Sequence, residues 1–181
     1  MMNISAREQR RLIEQQRLDG LKSAEERNQW GQFATPPALA EDILRYAHEI
    51  IGEKGSIRFL DPAIGTGSFY AALRRVFVDA NIETAAGIEL DPDFARAARD
   101  IWAETGLRVL QADFTALQPS AEDRSNLIVS NPPYVRHHHL DPATKERLQR
   151  LVAFHHSIRI SGLAGLYCYF LLLSDAWLEP G

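Results

Sequence analysis

The sequence contains one cysteine and no long apolar run. The single thiol, Cys168, excludes an internal disulfide and any metal site that is built from several cysteines. No stretch reaches the roughly 18 consecutive apolar residues that a transmembrane helix requires. The first residues, Met1 to Glu8, lack the apolar core of a secretory signal. These absences favour a cytoplasmic protein without a membrane segment.

The sequence also lacks an excess of positive charge. It has 20 Lys and Arg residues against 24 Asp and Glu residues, which gives a formal net charge of −4. Proteins that grip nucleic acid usually carry a basic surface, because neutralising phosphates supplies much of their affinity. Either nucleic acid is not the substrate, or the part that grips it lies outside this chain. The ending at Gly181, directly after an apolar helix where another strand is expected, favours the second interpretation.

The length and the remaining composition are those of one ordinary globular domain. A chain of 181 residues is long enough to bury about 70% of its unfolded surface. Apolar residues make up 45% and charged residues 24% of the sequence, which is the usual balance of a soluble domain.

Short apolar runs alternate with segments of helical periodicity along most of the sequence. Strands are predicted at residues 57–60, 84–90, 107–111 and 127–130, and helices at residues 38–51, 69–78 and 92–104. This alternation predicts an α/β fold with a doubly wound, mainly parallel sheet. Residues 5–28 differ, because they alternate charges around a narrow apolar stripe. They predict a solvated surface helix that is interrupted at Gly20.

Each predicted strand is followed by a polar or glycine-containing motif. The carboxyl ends of parallel strands meet at one edge of a sheet, and ligands bind outside that edge. In chain order the motifs are Asp61 to Gly67, Glu89, Asp113 with Phe114, and Asn131 to Tyr134.

The first three motifs have the composition of a nucleoside pocket. Gly65 and Gly67 permit a tight turn and a close approach of a ligand to the backbone. Tyr70 stands where a dinucleotide site has its third glycine, which disfavours a pyrophosphate cofactor. Asp61, before the turn, can accept hydrogen bonds from an ammonium group. A capping role for Asp61 is equally open.

The acids after the second and third strands complete this pocket. Glu89 can accept hydrogen bonds from both hydroxyls of a ribose. Asp113 can accept from the exocyclic amine of adenine, and Phe114 can pack on the adenine face. Each alone is also consistent with a surface carboxylate or a core aromatic. Together they describe an adenosine pocket without a phosphate clamp, which fits S-adenosylmethionine.

The fourth motif suits methylation of an amine whose lone pair is conjugated into a ring. Asn131 offers a side-chain carbonyl and Pro132 a backbone carbonyl, and together these can accept both amine protons. Pro132 and Pro133 stiffen the loop and remove N–H donors. Tyr134 offers a face on which an extruded base can stack. Taken alone, the tetrapeptide is also consistent with a plain proline turn.

The four motifs, preceded by Gly31-Gln32-Phe33-Ala34-Thr35-Pro36, resemble the adenine-N6 DNA methyltransferases whose cofactor motifs come before Asn-Pro-Pro-Tyr, as in restriction-modification methylases. The resemblance implies a Rossmann-like fold, S-adenosylmethionine as cofactor and double-stranded DNA, with its target adenine flipped out, as substrate. The implied cofactor residues are Thr35, Asp61, Ala63, Gly65, Gly67, Glu89, Asp113 and Phe114, and the implied catalytic residues are Asn131, Pro132, Pro133 and Tyr134.

The same resemblance implies how the chain is divided. Residues 1–37 are expected to form an N-terminal helical extension with a cofactor-side motif, and residues 38–181 an incomplete catalytic domain that lacks its C-terminal recognition region. The family also places an aromatic residue of the last predicted helix near the adenine of the cofactor. Phe170 is the candidate, and a plain core role for it is equally open.

Three alternative functions use related chemistry. A protein glutamine methyltransferase carries the same tetrapeptide, an RNA guanine-N2 methyltransferase is possible on the same grounds, and the chain is also consistent with an inactive cofactor-binding fragment. The motif at residues 31–36 favours the DNA class over the protein glutamine methyltransferases. Cytosine-C5 methylation is excluded, because Cys168 does not follow a proline and lies in an apolar run where a buried thiol is expected.

Five of the six histidines fall between Arg136 and Ile160. No carboxylate or cysteine accompanies them at metal-ligand spacing, so we expect no metal site. The basic residues of this segment outnumber its acids. A solvated helical insert and a surface that contacts DNA phosphates beside the catalytic loop are the two remaining interpretations.

Overall fold

A computed structural model of the protein describes residues 3–52, 55–78 and 80–180. The predictions made above for Met1, Met2 and Gly181 fall outside these described residues. Within them, three helices come first and strands then alternate with helices. The elements are α1 (Ile4–Gly20), α2 (Ala24–Trp30), α3 (Pro37–Ile51), β1 (Ser56–Asp61), α4 (Ser68–Val76), β2 (Asn81–Glu89), α5 (Pro92–Ile101), β3 (Leu107–Gln111), β4 (Leu127–Ile128), α6 (Pro142–His156) and α7 (Leu166–Ser174).

The strands form one parallel sheet in the order β3-β2-β1-β4. Asp61 pairs in register with Gly87, and Glu89 pairs with Gln111, so the first three strands end at the same edge. Leu178 forms an isolated parallel bridge with Ser125, next to the start of β4. The predicted parallel α/β sheet is therefore confirmed.

Two apolar layers cover the two faces of the sheet. Successive residues of a strand point to opposite faces, and in β1 Phe59 belongs to one layer while Leu60 belongs to the other. The first layer contains buried residues of α1, α3, α4 and α5, and the second contains those of α6 and α7. Burial on both faces explains why the strands appear in the sequence as short apolar runs.

Several element ends differ from the sequence-based prediction. The helix α5 ends at Ile101 rather than at residue 104, because Glu104 has the left-handed φ of 64°. The strand β2 begins three residues earlier than expected, and β4 comprises only two residues. Cys168 is half-buried rather than buried, because the short helix α7 turns only part of its surface towards the core.

The prediction of a solvated N-terminal helix is wrong for one face of α1. Arg7, Glu8 and Arg11 are buried, whereas the apolar Ile13 is exposed. The helix packs on α4 and α5, and its charged groups find partners there. Within the described ranges, no helix is both long and apolar enough to cross a membrane.

Candidate functional site

The glycine turn after β1 is held by backbone hydrogen bonds to its neighbours. The Ile64 amide donates to the carbonyl of Ile88 in β2 at 3.0 Å, and the Gly67 amide donates to the carbonyl of Ile64 at 2.8 Å. Gly67 has a φ of 96°, and a Cβ atom there would lie 2.4 Å from Nε1 of Trp102. The turn thus requires glycine at position 67 both for its backbone conformation and for space.

Asp61 is a buried carboxylic acid at the end of β1. Its side chain is 1% exposed, and its Oδ1 accepts a hydrogen bond from the Ala63 amide at 3.1 Å. Burial raises the pKa of Asp61 to about 7, an effect that the amide opposes and the nearby Glu89 carboxylate increases. Asp61 is therefore much more easily protonated than an exposed aspartate.

Glu89 links the end of β2 to the glycine turn. Its Oε2 accepts from the Gly65 amide at 2.8 Å, and its Oε1 accepts from the Asp91 amide at 2.8 Å. Burial raises the pKa of Glu89, and the two amides oppose that rise. Each carboxylate oxygen keeps a second lone pair, so Glu89 can support the turn and still accept from a ligand.

Asp113 and Phe114 follow β3 and differ in exposure. The Asp113 side chain is half-exposed and accepts from the Thr115 amide at 2.9 Å and from the Thr115 hydroxyl at 2.7 Å. Arg147 of α6 lies 3.5 Å from its second oxygen. Phe114 is only 2% exposed, and its ring lies 5.0 Å from that of Phe170. Both aromatics belong to the core layer, and their contact with a ligand stays a prediction.

The predicted catalytic motif, Asn131 to Tyr134, packs directly against the N-terminal motif, Gly31 to Pro36. Asn131 Nδ2 donates to the carbonyl of Phe33 at 3.0 Å, and the Tyr134 amide donates to the carbonyl of Gly31 at 3.3 Å. Gly31 has a φ of 61°, and a Cβ atom there would lie 2.2 Å from the Tyr134 nitrogen. The contact explains why the first residue of this motif is glycine.

The bond to Phe33 orients the side-chain amide of Asn131. An amide has one carbonyl oxygen and one NH₂ group. Because the NH₂ group is engaged by Phe33, the carbonyl oxygen is the part of Asn131 that is left to accept from a substrate. Thr35, two residues after Phe33, is buried, and its carbonyl accepts from the Ser68 hydroxyl at 2.9 Å. The N-terminal motif therefore contacts both the catalytic loop and the helix that follows the glycine turn.

A groove of about 1020 Å³ lies beside the Asn131–Tyr134 loop. Tyr134 is 51% exposed at this groove, and its ring centroid lies 5.9 Å from that of Tyr167 in α7. Arg136 and the three histidines 137–139 line another part of it. The sequence analysis does not identify Tyr167 as a site residue, because it stands in an apolar helix far from Tyr134 in the chain.

The structure brings most of the predicted site residues together at one edge. Asp61 is hydrogen-bonded to Ala63, and Glu89 is hydrogen-bonded to Gly65. The Ala112 amide donates to the Glu89 carbonyl at 2.9 Å, which places Asp113 beside Glu89. Asn131 to Tyr134 form a second group with residues 31–33. Among the described residues, no three His, Cys, Asp or Glu side chains lie close enough to hold a metal ion.

Similarity to known proteins agrees with this arrangement. The chain is 32% identical to the Type II methyltransferase M.CvrRI of Paramecium bursaria Chlorella virus XZ-6E over 62% of its length and 26% of that protein. It is 27% identical to the Type II methyltransferase M.XamI of Xanthomonas campestris pv. amaranthicola over 83% of its length and 28% of that protein. The chain thus spans about a quarter of these curated relatives.

A solved structure has the same fold. The structure of a Listeria monocytogenes protein, described as a class I S-adenosylmethionine-dependent methyltransferase, superposes with a TM-score of 0.70 at 19% identity over 99% of this chain and 54% of that one. The sequence profile of the family described as N-6 DNA Methylase matches residues 21–159, which include all the predicted site residues except Phe170. Because that match covers most of the sequence, the chain belongs to the N-6 DNA methylase family.

Proposed function

We propose that the chain carries the cofactor-binding and catalytic part of a DNA methyltransferase that methylates adenine N6 in a restriction-modification system. The observation that carries this proposal is the contact between Asn131 and Phe33. It joins the tetrapeptide to the motif that favours the DNA class, and it leaves the Asn131 carbonyl free for an amine.

The buried carboxylic acids of the pocket, Asp61 and Glu89, are suited to binding S-adenosylmethionine. Asp61 and Glu89 both lose solvation on folding, and the neighbouring charges that shift their pKa are negative. Such carboxylates favour a ligand that brings an ammonium group and hydroxyl donors. Asp61 would hold the ammonium group and Glu89 the ribose hydroxyls. When bound, the cofactor supplies an activated methyl group on its sulfonium.

The residues of the catalytic loop would then orient the target amine. The side-chain carbonyl of Asn131 and the backbone carbonyl of Pro132 accept its two protons, which turns the nitrogen lone pair out of conjugation. Tyr134 stacks on the extruded base. Fixed placement of the amine beside the methyl donor supplies most of the rate enhancement, because the reaction becomes effectively unimolecular.

The groove beside Tyr134 is the site proposed for the target nucleotide. Its aromatic pair, Tyr134 and Tyr167, offers stacking surface, and base–aromatic stacking is worth about 1–3 kcal/mol per base. Arg136 and the neighbouring histidines line the same groove and suit the phosphates of the extruded strand. Recognition of a DNA sequence would belong to parts of a complete enzyme other than these residues.

Methyl transfer to DNA from labelled S-adenosylmethionine tests the proposal in a complete enzyme that contains this chain. N6-methyladenine should be found by mass spectrometry of the digested nucleosides. Asn131→Ala should lower turnover by at least about a hundredfold, the scale of losing a group that acts on the transition state, while the cofactor still binds. The exposed Asn81→Ala is the matched control.

Parallel reactions with a glutamine-containing peptide and with RNA separate the alternatives. Label in either one, with unmodified DNA, would contradict the proposal. Near-normal turnover of Asn131→Ala would contradict the role of the amide. Cofactor binding without transfer to any of the three substrates would favour an inactive cofactor-binding protein.

A further inference from the structure

We propose that α1 positions the cofactor-binding turn, with Gln15 and Arg11 acting through the side chain of Thr66. The inference rests on the proposed function, because it concerns the same pocket. Thr66 stands between Gly65 and Gly67 and is 2% exposed. Its hydroxyl donates to Gln15 Oε1 at 2.7 Å and accepts from Arg11 Nη1 at 3.2 Å. The only side chain between the two glycines is therefore bonded to α1.

The helix holds this contact with an ion pair that is itself buried. Arg11 is 1% exposed, and its Nε and Nη2 atoms donate to the two carboxylate oxygens of Glu8 at 2.7 and 2.8 Å. Burying two charges costs free energy that an apolar pair would not cost, so such a pair is weak evidence for stability and better evidence for a specific arrangement. Here the arrangement aims one guanidinium N–H at Thr66.

Further contacts fix α1 on the far side of the turn. Arg7 donates to the carbonyl of Ile101, and Arg10 donates to the carbonyl of Asp100 at 3.2 Å, so α1 is attached to the end of α5. The Trp102 indole, just beyond α5, donates to the Thr66 carbonyl at 2.9 Å. The side chain of Thr66 is thus bonded to α1, and its carbonyl is bonded to the indole of Trp102.

These contacts fix the turn in the position in which the Gly65 amide donates a hydrogen bond to the Glu89 carboxylate. Loosening Thr66 would let the turn move and would weaken ligand binding without removing any group that touches the ligand. The segment responsible, residues 4–20, lies before residue 21, where the family match begins. The α1 side of this arrangement therefore lies outside the matched region, whereas Thr66 lies inside it.

Thr66→Val tests the contact, because valine keeps the shape of threonine and removes the hydroxyl. Calorimetric titration with S-adenosylmethionine should show affinity about five- to thirty-fold lower, because the buried hydroxyl makes two hydrogen bonds that valine cannot make. Thr66→Ser, which keeps the hydroxyl, should bind like the wild type. In ligand-free protein, the amide hydrogens of residues 65–67 should exchange faster in the valine variant than in the serine variant.

Gln15→Leu places the same test on α1 itself. It should weaken binding in the same direction, and the double variant with Thr66→Val should be no weaker than Thr66→Val alone, because the bond that Gln15→Leu removes is one of the two that Thr66→Val already removes. Additive losses would mean that Thr66 acts on the ligand directly, which would overturn the inference.

Two controls separate positioning from general stability. Arg17→Gln removes an exposed ion pair of α1 and should leave affinity unchanged. Leu148→Ala creates a cavity in the opposite core layer, and a loss of affinity as large as that of Thr66→Val would overturn the inference. If the wild type does not bind the cofactor, the proposed function fails. If the wild type binds the cofactor, and if Thr66→Val and Gln15→Leu have the affinity and the amide hydrogen exchange rates of the wild type, only the inference about α1 fails.

Discussion

Replacing Asp61 by Asn should reduce the loss of stability that the ligand-free protein suffers as the pH rises towards neutrality. The pKa of Asp61 is raised by burial from 3.8 to about 7. In the window between these values the folded state binds more protons than the unfolded state, so the free energy of unfolding falls as pH rises. The contribution of this group is fully present below about pH 4 and is lost above about pH 7.

The pKa shift sets the size of the effect. A difference of about 3 pH units, at about 1.36 kcal/mol per unit, corresponds to about 4 kcal/mol. Relaxation and water penetration reduce the cost of a buried charge, so we expect about 2–4 kcal/mol. Asparagine keeps an oxygen that can accept from the Ala63 amide, which bonds Asp61 at 3.1 Å, and it cannot ionise.

The measurement is urea unfolding of both proteins at several pH values from about 4 to about 8. The new NH₂ group of asparagine carries its own cost of about 1–3 kcal/mol if it stays unbonded, but that cost does not depend on pH. The stability difference between the variant and the wild type should therefore grow by about 2–4 kcal/mol across the range. Glu89, whose pKa is raised in the same direction, is present in both proteins. Asp100→Asn, at an exposed position of α5, is the control.

Equal pH dependence in the variant and the wild type would refute the reasoning, because it would mean that Asp61 ionises without cost. The same carboxylate predicts the behaviour of the bound state. An ammonium group would stabilise the ionised form, so affinity for S-adenosylmethionine should rise with pH up to about 7 in the wild type. In Asp61→Asn the affinity should be lower, and this dependence should be weaker.

Two further substitutions test the neighbouring contacts. Glu89→Gln should weaken cofactor binding by about 1–3 kcal/mol, the cost of leaving buried polar groups unsatisfied, and unchanged affinity in a calorimetric titration would remove Glu89 from the ribose role. Gly31→Ala should lower the melting temperature and abolish DNA methylation in a complete enzyme, because its Cβ would lie 2.2 Å from the Tyr134 nitrogen. Gly20→Ala, where an added Cβ meets nothing within 4 Å, is the control, and equal melting temperatures for the two variants would contradict the packing argument.

The parts of the fold that the sequence predicts are those that follow from local patterns. Strand β1 and helix α4 show their apolar residues at the spacing of a strand and a helix, and Gly65 and Gly67 mark the turn between them. When parallel strands alternate with helices, the carboxyl ends of the strands meet at one edge of the sheet. The acids that follow the strands can therefore be assigned to one site from the sequence alone.

The parts that the sequence does not predict depend on partners that are distant in the chain. The charges of α1 look solvated in isolation, because nothing local shows that Arg11 meets Thr66. Tyr167 belongs to an apolar helix, and only the packing of α7 brings it to Tyr134. Phe114 lies in the core layer, and this position accounts for an aromatic residue there even without a ligand. A core role is the alternative to ligand contact that the sequence leaves open.

The N-terminal residues connect the two halves of the site. Beyond α1, Lys22 donates to the carboxylate of Asp91, two residues after Glu89, and to Gln32 Oε1 at 2.8 Å. The next residue, Phe33, accepts from the amide of Asn131.

The N-terminal segment therefore makes polar contacts with Thr66, with Asp91 and with the side-chain amide of Asn131, and its own backbone joins these contacts. Each of these contacts is a hydrogen bond or an ion pair between defined atoms, so it fixes the relative position of the two groups as well as holding them together. A shift of the cofactor turn would reach the catalytic loop through this segment as well as through the sheet. We therefore expect substitutions in this segment, which supplies no acid or base to the reaction, to affect both cofactor binding and methyl transfer.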